Sequence, residues 1–566
     1  MPLLVLIVGG LTNAGHAQSH YDSAYAEMAK QRPEKLIVFT DRSLYAVNET
    51  IHFSALLQSG AEPNSDPGSE VLYAELVNSS GEAVTKGKYH IIENWSAGHI
   101  SIPSTILSGT YYLRSYTRWM RNFGAENFTY LPLRVVNPFS NDAILANPET
   151  GKPDLIPVSN GPGQVHISPA RHSYGPGALV DVELTLKEGS NIHIQHACIS
   201  VVPVGAIDTS SFIHQVDLNP DPPASFQFNF LPERNGTAIS GTVLEKNSRN
   251  PVPAIPVHFS ILGENPAYFA AVSDQWGRFL TNIPPHLGNQ EMFVIPEPQT
   301  DQSFEVLIEN DFSSDPLPFH PESFSLGQDE KRLASRLSLH MQLQMAFMAK
   351  SETDSTMSSK PSEFTSFYGL PEISVQIDEF IKLPNMEEVI ENLVPRTYVR
   401  RRKGSAYFMI DSENPMITLF DPLILIDHIP VFDMEVVLAI PPSKIDYIEV
   451  VPEVYVKGGM KYGGIISITS RQEDLAGMKL SEGSYFFDYA TLQPPPVPQG
   501  PRYKGPGTIP DTRNTLFWKD HMELDKDATS RISFPAASVP GTYLILFRGV
   551  SSDGTIVHGL NQINVE

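Results

Sequence analysis

Proline limits what this chain can build. It fills 48 of 566 positions, well above the usual ~5%. A proline inside a helix or a central strand removes a backbone donor. Charged residues are few, at 18%. Many short strands joined by Pro-rich turns suit both facts better than long helices do. The expected fold class is mainly β and multi-domain: several β-sandwiches plus a small α+β domain. The length allows several separate cores.

The formal net charge is −24, so the chain is expected to be a poor general binder of nucleic acid or anionic lipid. Its one basic run, Arg400–Lys403, reads as a solvated strand end or turn. The single cysteine, Cys198 in ACISVV, excludes an intramolecular disulfide and reads as a buried thiol. Residues 1–17 read as a signal peptide: Leu3–Leu11 is too short to span a bilayer, and Gly15 and Ala17 offer small residues at a cleavage site. No later stretch approaches the ~18 apolar residues of a membrane helix. The expected location is the periplasm or the outer-membrane-associated envelope.

Strand–turn–strand texture runs through KLIVFTDRSLYAVNETIHFSALL and VLYAELVNSSGEAVTKGKY. Their reversals are expected at Asn48 and Asn78–Gly81, because Asn and Gly tolerate the left-handed backbone of turns. Gln164–Phe230 and the stretch from Thr237 alternate similarly, the latter turning at Asp274–Gly277. A helix is expected over DEKRLASRLSLHMQLQMAFMAK, its stripe of Leu333, Leu337, Met341, Met345 and Met348 packing on a core. The polar stretch SETDSTMSSKPSE reads as a linker. PNMEEVIENL is a short helix opened by Pro384 and Asn385, and PLILIDHIPVFD, IDYIEVV and GGIISITSR are strands.

One segment recurs. With Ile100 set on Ile532, Ser101, Pro103, Gly109, Thr110 and Tyr111 fall on Ser533, Pro535, Gly541, Thr542 and Tyr543 without a gap. A second sandwich of related design is therefore expected to close the chain.

Four segments resemble known families. TDRSLYAVNETIHFSALL with SGTYYLRSYTRWM resembles the macroglobulin-like sandwich of alpha-macroglobulins, as found in envelope proteins of Bacteroidetes; Val47-Asn48 stands where the family has Pro-Gly. Val165–Val202 resembles a second such sandwich. ISGTVLEKNSRNPVPAIPVHFS with VSDQWGRF is similar to the carboxypeptidase-regulatory-like domain, a sandwich without peptidase residues, through Gly241, Asp274, Gly277 and Phe279. MEEVIENLVPRTYVRRRKG, DPLILIDHIPVFD and IDYIEVVPEVYVKGGMKYGGIISITSR resemble the plug of TonB-dependent receptors. Asp427, Tyr462, Gly463 and Gly464 carry that motif, with His428 replacing a frequent glycine. The resemblances imply immunoglobulin-like or macroglobulin-like sandwiches over 32–138 and 155–232, and a regulatory-like sandwich over 236–312. A helical connector and linker would occupy 320–372, the plug-like α+β domain 373–472 and a C-terminal sandwich 500–566. Fewer than a hundred residues follow Arg471. A barrel of twenty-odd strands needs several hundred, so the plug is expected to work without a barrel of its own chain.

No common hydrolase, kinase or dinucleotide motif is present, and Cys198 lies in no thioester segment. His193, His196 and Cys198 come nearest to a metal cluster, but strand alternation puts His193 on the opposite face and leaves two ligands. Asp427 and Asp433 flank a turn and are expected to stabilise it. No enzyme activity, cofactor or metal is expected. In YYLRSYTRWM, alternation gathers Tyr112, Arg114, Tyr116 and Arg118 on one face, residue types enriched at recognition sites. Packing against a neighbouring domain is the competing reading. The expected function is a non-enzymatic envelope scaffold or accessory subunit whose partner is an outer-membrane β-barrel or other envelope protein, in uptake or export. The alternative is a protein that binds glycan or peptide.

Overall fold

The computed structural model describes residues 34–59, 68–140, 164–187, 193–207, 229–299, 302–351, 366–402, 404–495, 511–522, 529–552 and 554–566. The expected signal peptide and most of the polar linker lie outside these residues. The chain visits two compact units alternately. One draws on Tyr21–Arg234, Phe312–Ser358 and Leu492–Glu566, the other on Asn235–Asp311 and Ser359–Thr491.

The larger unit opens with a complete sandwich. Its strands are β1 (Glu34–Thr40), β2 (Leu44–Ala46), β3 (Thr50–Ser59), β4 (Val71–Val77), β5 (Ala83–His90), β6 (Trp95–Ser101), β7 (Gly109–Thr117) and β8 (Thr129–Val136). They form two sheets, β1-β3-β6 and β2-β8-β7-β4-β5, around a core that includes Leu36, Phe53, Leu72, Leu113 and Leu133. The expected turn residues behave as read. Asn48 has φ 65°, and the Asn78 side chain accepts from the amides of Ser80 and Glu82, each at 3.0 Å.

The next four strands, β9 (Val165–Pro169), β10 (Ser173–Tyr174), β11 (Leu179–Leu186) and β12 (Ile194–Pro203), begin the same design again. The Arg42 amide donates to the Tyr45 hydroxyl at 3.1 Å, and the Arg171 amide to the Tyr174 hydroxyl at 2.9 Å. Gly177, at φ 70°, turns the chain where Asn48 does in the first copy. After β12 the copy breaks off with half its strands missing.

The smaller unit follows. Strands β13 (Ala238–Glu245), β14 (Pro256–Ile261), β15 (Ala267–Val272), β16 (Arg278–Asn282), β17 (Asn289–Pro296) and β18 (Phe304–Ile308) make a sandwich. Close approach explains its glycines: a Cβ on Gly241 would stand 2.3 Å from the Leu307 carbonyl, and Gly277 has φ +73°. The turn at Asp274–Gly277 is present, Asp274 accepting from the amides of Trp276 and Arg278.

Helix α1 (Gln328–Ser351) returns to the larger unit. Leu333, Ala334 and Leu337 pack on Leu44 and Val136 of the first copy and on Val202, Leu544 and Leu546 of the second. Met341 is buried, Met345 is 47% exposed, and the Met348 side chain lies outside the described residues.

The chain then builds the α+β module of the smaller unit. In order come β19 (Ile373–Gln376), α2 (Met386–Leu393), β20 (Thr397–Arg402), β21 (Ser405–Ile410), β22 (Leu423–Ile426), β23 (Ile429–Pro430), α3 (Met434–Leu438), β24 (Ile445–Val451), β25 (Tyr455–Lys457), β26 (Met460–Tyr462) and β27 (Ile465–Ser470). The main sheet is β19-β24-β27-β22-β23. Asn385 caps α2, accepting from the Glu388 amide at 2.9 Å. Strand β28 (Tyr485–Ala490) goes back to the preceding sandwich and completes the sheet β15-β14-β17-β28. That sandwich therefore does not end at residue 312, because the fourth strand of this sheet arrives from beyond the α+β module.

Finally β29 (Phe517–Lys519), β30 (Thr529–Pro535), β31 (Gly541–Ser551) and β32 (Ile556–Val565) finish the interrupted copy. Its sheets are β9-β11-β30 and β10-β32-β31-β12-β29, the strand order of the first copy position for position. The recurring segment is the same corner twice. The Tyr111 hydroxyl donates to the Leu107 carbonyl at 2.9 Å, and that of Tyr543 to the Val539 carbonyl at 3.0 Å. The two sandwiches expected at 155–232 and 500–566 are thus two halves of one. β12 is buried from His196 to its end and needs neighbours on both sides. Alternation reveals that a segment is a strand, not which distant segment pairs with it.

Candidate functional site

The face of Tyr112, Arg114 and Tyr116 is real, but it is covered. All three are buried, with exposures of 0–1%. Residues 312–322 lie over them. The Ser313 amide donates to the Tyr116 hydroxyl and the Glu322 amide to that of Tyr112, both at 2.7 Å. Arg114 donates to Glu75 at 2.6 Å and to the carbonyls of Ser313 and Asp315, each at 2.9 Å. Phe312 and Phe319 pack edge-on against Tyr73 and Tyr112. Arg118 sits beyond the end of β7, over the Phe230 ring at 5.8 Å. Of the two readings of this face, packing holds and recognition does not: a segment some two hundred residues away supplies the cover, which strand alternation could not reveal.

In the α+β module the motif residues shape the backbone. Asp427 and His428 form the tight turn between β22 and β23, with φ 45° and 68°, the positive values a two-residue hairpin of this hand needs. The Asp427 carboxylate accepts from the Ser470 amide (2.7 Å), the Ser470 hydroxyl (2.6 Å) and the Leu475 amide (2.7 Å). Asp433 accepts from the Glu435 amide and caps α3. A Cβ on Gly463 would lie 2.1 Å from the Phe420 carbonyl oxygen, and Gly464 has φ +93°. Tyr462 reaches the neighbouring sandwich of the same unit, its hydroxyl 2.6 Å from that of Tyr268. Tyr268 in turn lies 2.7 Å from Nδ1 of the buried His258. Burial raises the Tyr462 hydroxyl to about 12. None of these four positions presents a reactive group to solvent.

Arg400, Arg401 and Arg402 of the basic run lie on β20, and Lys403 lies outside the described residues. Arg401 makes a bidentate pair with Glu387, and Arg400 approaches Glu391 at 3.3 Å, so the charges of these two are answered by α2. A groove of about 450 Å3 lies along the edge of β18, lined by Glu305, Ile308, Tyr485 and Phe487 among others. The Tyr485 hydroxyl already donates to the Val306 carbonyl there.

One constellation outlines a catalytic pattern. Ser54 Oγ is 2.6 Å from His196 Nε2, and His196 Nδ1 is 3.3 Å from His521 Nδ1. The proton count decides against a nucleophile. Ser54 Oγ also donates to the Asp520 carbonyl at 2.6 Å, which uses its single proton, so the proton toward His196 belongs to Nε2. His196 is a donor to this serine, not its base, and both side chains are buried. His193 is exposed at the start of the strand, while Cys198 packs among Ile37, Phe39, Leu56 and Val550. Burial pushes the Cys198 thiol up to about 11. Among the described residues no group of three His, Cys, Asp or Glu has metal-holding geometry.

No protein-family model matches the sequence, and none of the curated proteins compared with it is significantly similar. Solved structures align over much of the chain at low similarity. A Salmonella alpha-2-macroglobulin has 8% identity and a TM-score of 0.23, covering 94% of this chain and 40% of its own. The native Escherichia coli alpha-2-macroglobulin has 8% identity and a TM-score of 0.24 over the same shares. The Escherichia coli adhesin FdeC has 10% identity and a TM-score of 0.14, covering 50% of this chain and 64% of its own. The chain thus spans about two fifths of the length of those macroglobulins, and such scores do not amount to a shared overall fold.

Proposed function

We propose that this protein is a non-enzymatic scaffold or accessory subunit of a bacterial cell envelope, and that its α+β module docks an outer-membrane β-barrel made by another chain. The observation that carries the reading is where large apolar side chains remain uncovered. On that module Ile381 (80%) and Leu419 (65%) are largely exposed, as is Leu370 (89%) just before it, with Phe380, Met416 and Val456 around half exposed. Leu370 and Ile381 are the two most exposed large apolar side chains among the described residues, and such side chains, where they gather on one surface, mark a site that a partner covers. The choice of partner rests on the resemblance of this module to receptor plugs. Among the described residues no helix is long and apolar enough to cross a membrane, which says nothing of strands. The glycan- or peptide-binding alternative loses the Tyr112–Tyr116 face, which lies under residues 312–322, and keeps only a place between domains.

The test is an affinity pull-down of tagged protein from gently solubilised envelopes, with mass spectrometry of what is retained. Recovery of a stoichiometric barrel, lost in an Ile381→Glu, Leu419→Glu variant that stays folded, supports the reading. Recovery of the protein alone, under conditions that keep other envelope complexes whole, removes it.

A further inference from the structure

Inside the larger unit, two sandwiches meet face to face. Ile37, Phe39 and Leu56 of the first pack on Cys198 and Val550 of the second. Beside this apolar patch His196 of β12 reaches across to Ser54 of β3 and stacks on Trp95 of β6, ring centroids 6.0 Å apart. The proton count fixes its state. Nε2 carries the hydrogen toward Ser54, so Nδ1 is bare and accepts from Nδ1–H of His521, 3.3 Å away. In this arrangement His196 is neutral.

We propose that His196 is an acid-sensitive latch between these two sandwiches, closed by its neutral form and opened by its protonation. A second proton on the ring would put an N–H where Nδ1 now accepts, so the bond to His521 is lost unless that ring moves its own proton to Nε2. It would also place a cation in a buried joint, His196 being 1% exposed. From β31, Arg548 already brings a buried cation opposite Cys198 and donates to the Thr40 carbonyl. From β3 and β6 come His52 and His99, whose rings are 6.4 Å apart. The Asp41 carboxylate is engaged by Arg42, Tyr45 and Thr515. Asp520 gives its carbonyl to Ser54, and its carboxylate acts on His52 and Cys198.

Burial, with the nearby His521, lowers His196 to about 4, and burial also lowers His52 and His99. A freed histidine titrates at about 6.5. Between those values the open state binds the extra proton, so the joint weakens as pH falls from about 6.5 to about 4 and is at full strength above 6.5.

Cys198, the one cysteine of the chain, lies in this joint and reports its opening. The full-length protein is labelled with 4,4′-dithiodipyridine at pH 7.5 and pH 5, each rate normalised to that of glutathione. The expected result is at least a tenfold rise in the relative rate at pH 5 with an unchanged far-ultraviolet spectrum, and a flat profile in His196→Gln. A flat profile in the wild type, the same rise in the variant, or a rise that accompanies loss of the β spectrum overturns the proposal. If His196→Gln does not fold, hydrogen exchange on the wild type decides. Residues 50–59 and 194–203 must lose protection together at pH 5 while 71–77 keep theirs, and protection unchanged in all three overturns it.

Discussion

The hydroxyl of Tyr268 lies 2.6 Å from the hydroxyl of Tyr462, and this contact ties the sandwich of the smaller unit to its α+β module. Tyr268, Ala270, Leu423, Leu425, Tyr462 and Ile465 form one buried cluster around it, with His258 continuing the polar row on the sandwich side. Tyr268→Phe leaves polar groups of both His258 and Tyr462 short of a buried partner, at a cost of about 1–3 kcal/mol. Tyr462→Phe removes the outer end of the row and is expected to cost less. The measurement is the thermal unfolding midpoint of each variant. Equal midpoints for Tyr268→Phe and the wild type would show that the row contributes nothing.

Gly463 and Gly459 separate steric need from conformational need. An alanine at Gly463 meets two backbone oxygens, those of Phe420 and Ile417, at 2.1 and 2.3 Å, and backbone cannot rotate away. Gly459, at φ +80°, has nothing within 4 Å of its Cβ position. Gly459→Ala is therefore expected to cost about 1 kcal/mol, and Gly463→Ala about 3 kcal/mol or more. Denaturant melts followed in the α+β module order the two, and a reversed order contradicts the account.

Arg114 and Glu75 form an ion pair buried to about 1% and 0% exposure. Removing the cation strands the carboxylate, which burial already pushes above its usual range against the pull of Arg114. Arg114→Ala is expected to destabilise the first sandwich by about 3–5 kcal/mol and to release residues 312–322, whose carbonyls it holds. Early proteolytic cleavage in that segment is the readout. Full resistance would mean that the tyrosines suffice to hold it.

A chain ending at residue 510 lacks β29–β32, the neighbours of β9–β12. The edges of β11 and β12 and the joint around Cys198 would then lie open. Rapid thiol labelling of the truncated chain at pH 7.5 is expected, against slow labelling of the intact one, whose thiol burial holds in the unreactive protonated form. Equal slow rates would mean that β9–β12 are covered without their distant partners.

The sequence by itself determined the local layer of this protein. Proline density and alternation gave short strands, Asn48 and Asn78 gave their turns, and the repeated Ile100–Tyr111 pattern marked the same tyrosine corner at Ile532–Tyr543. Asp274–Gly277 and Asp427 were readable because turn chemistry acts within a few residues. The tertiary structure alone decided which strands belong together. Nothing local to β12 names β31, which lies beyond the whole smaller unit, and nothing local to Tyr112–Tyr116 tells whether water or residues 312–322 will cover them. A strand's alternation records that one face is buried, since burial is set by side-chain polarity. The identity of the covering partner is a property of the whole chain's packing, where apolar faces of similar composition are distinguished only by register, shape and the hydrogen bonds they complete.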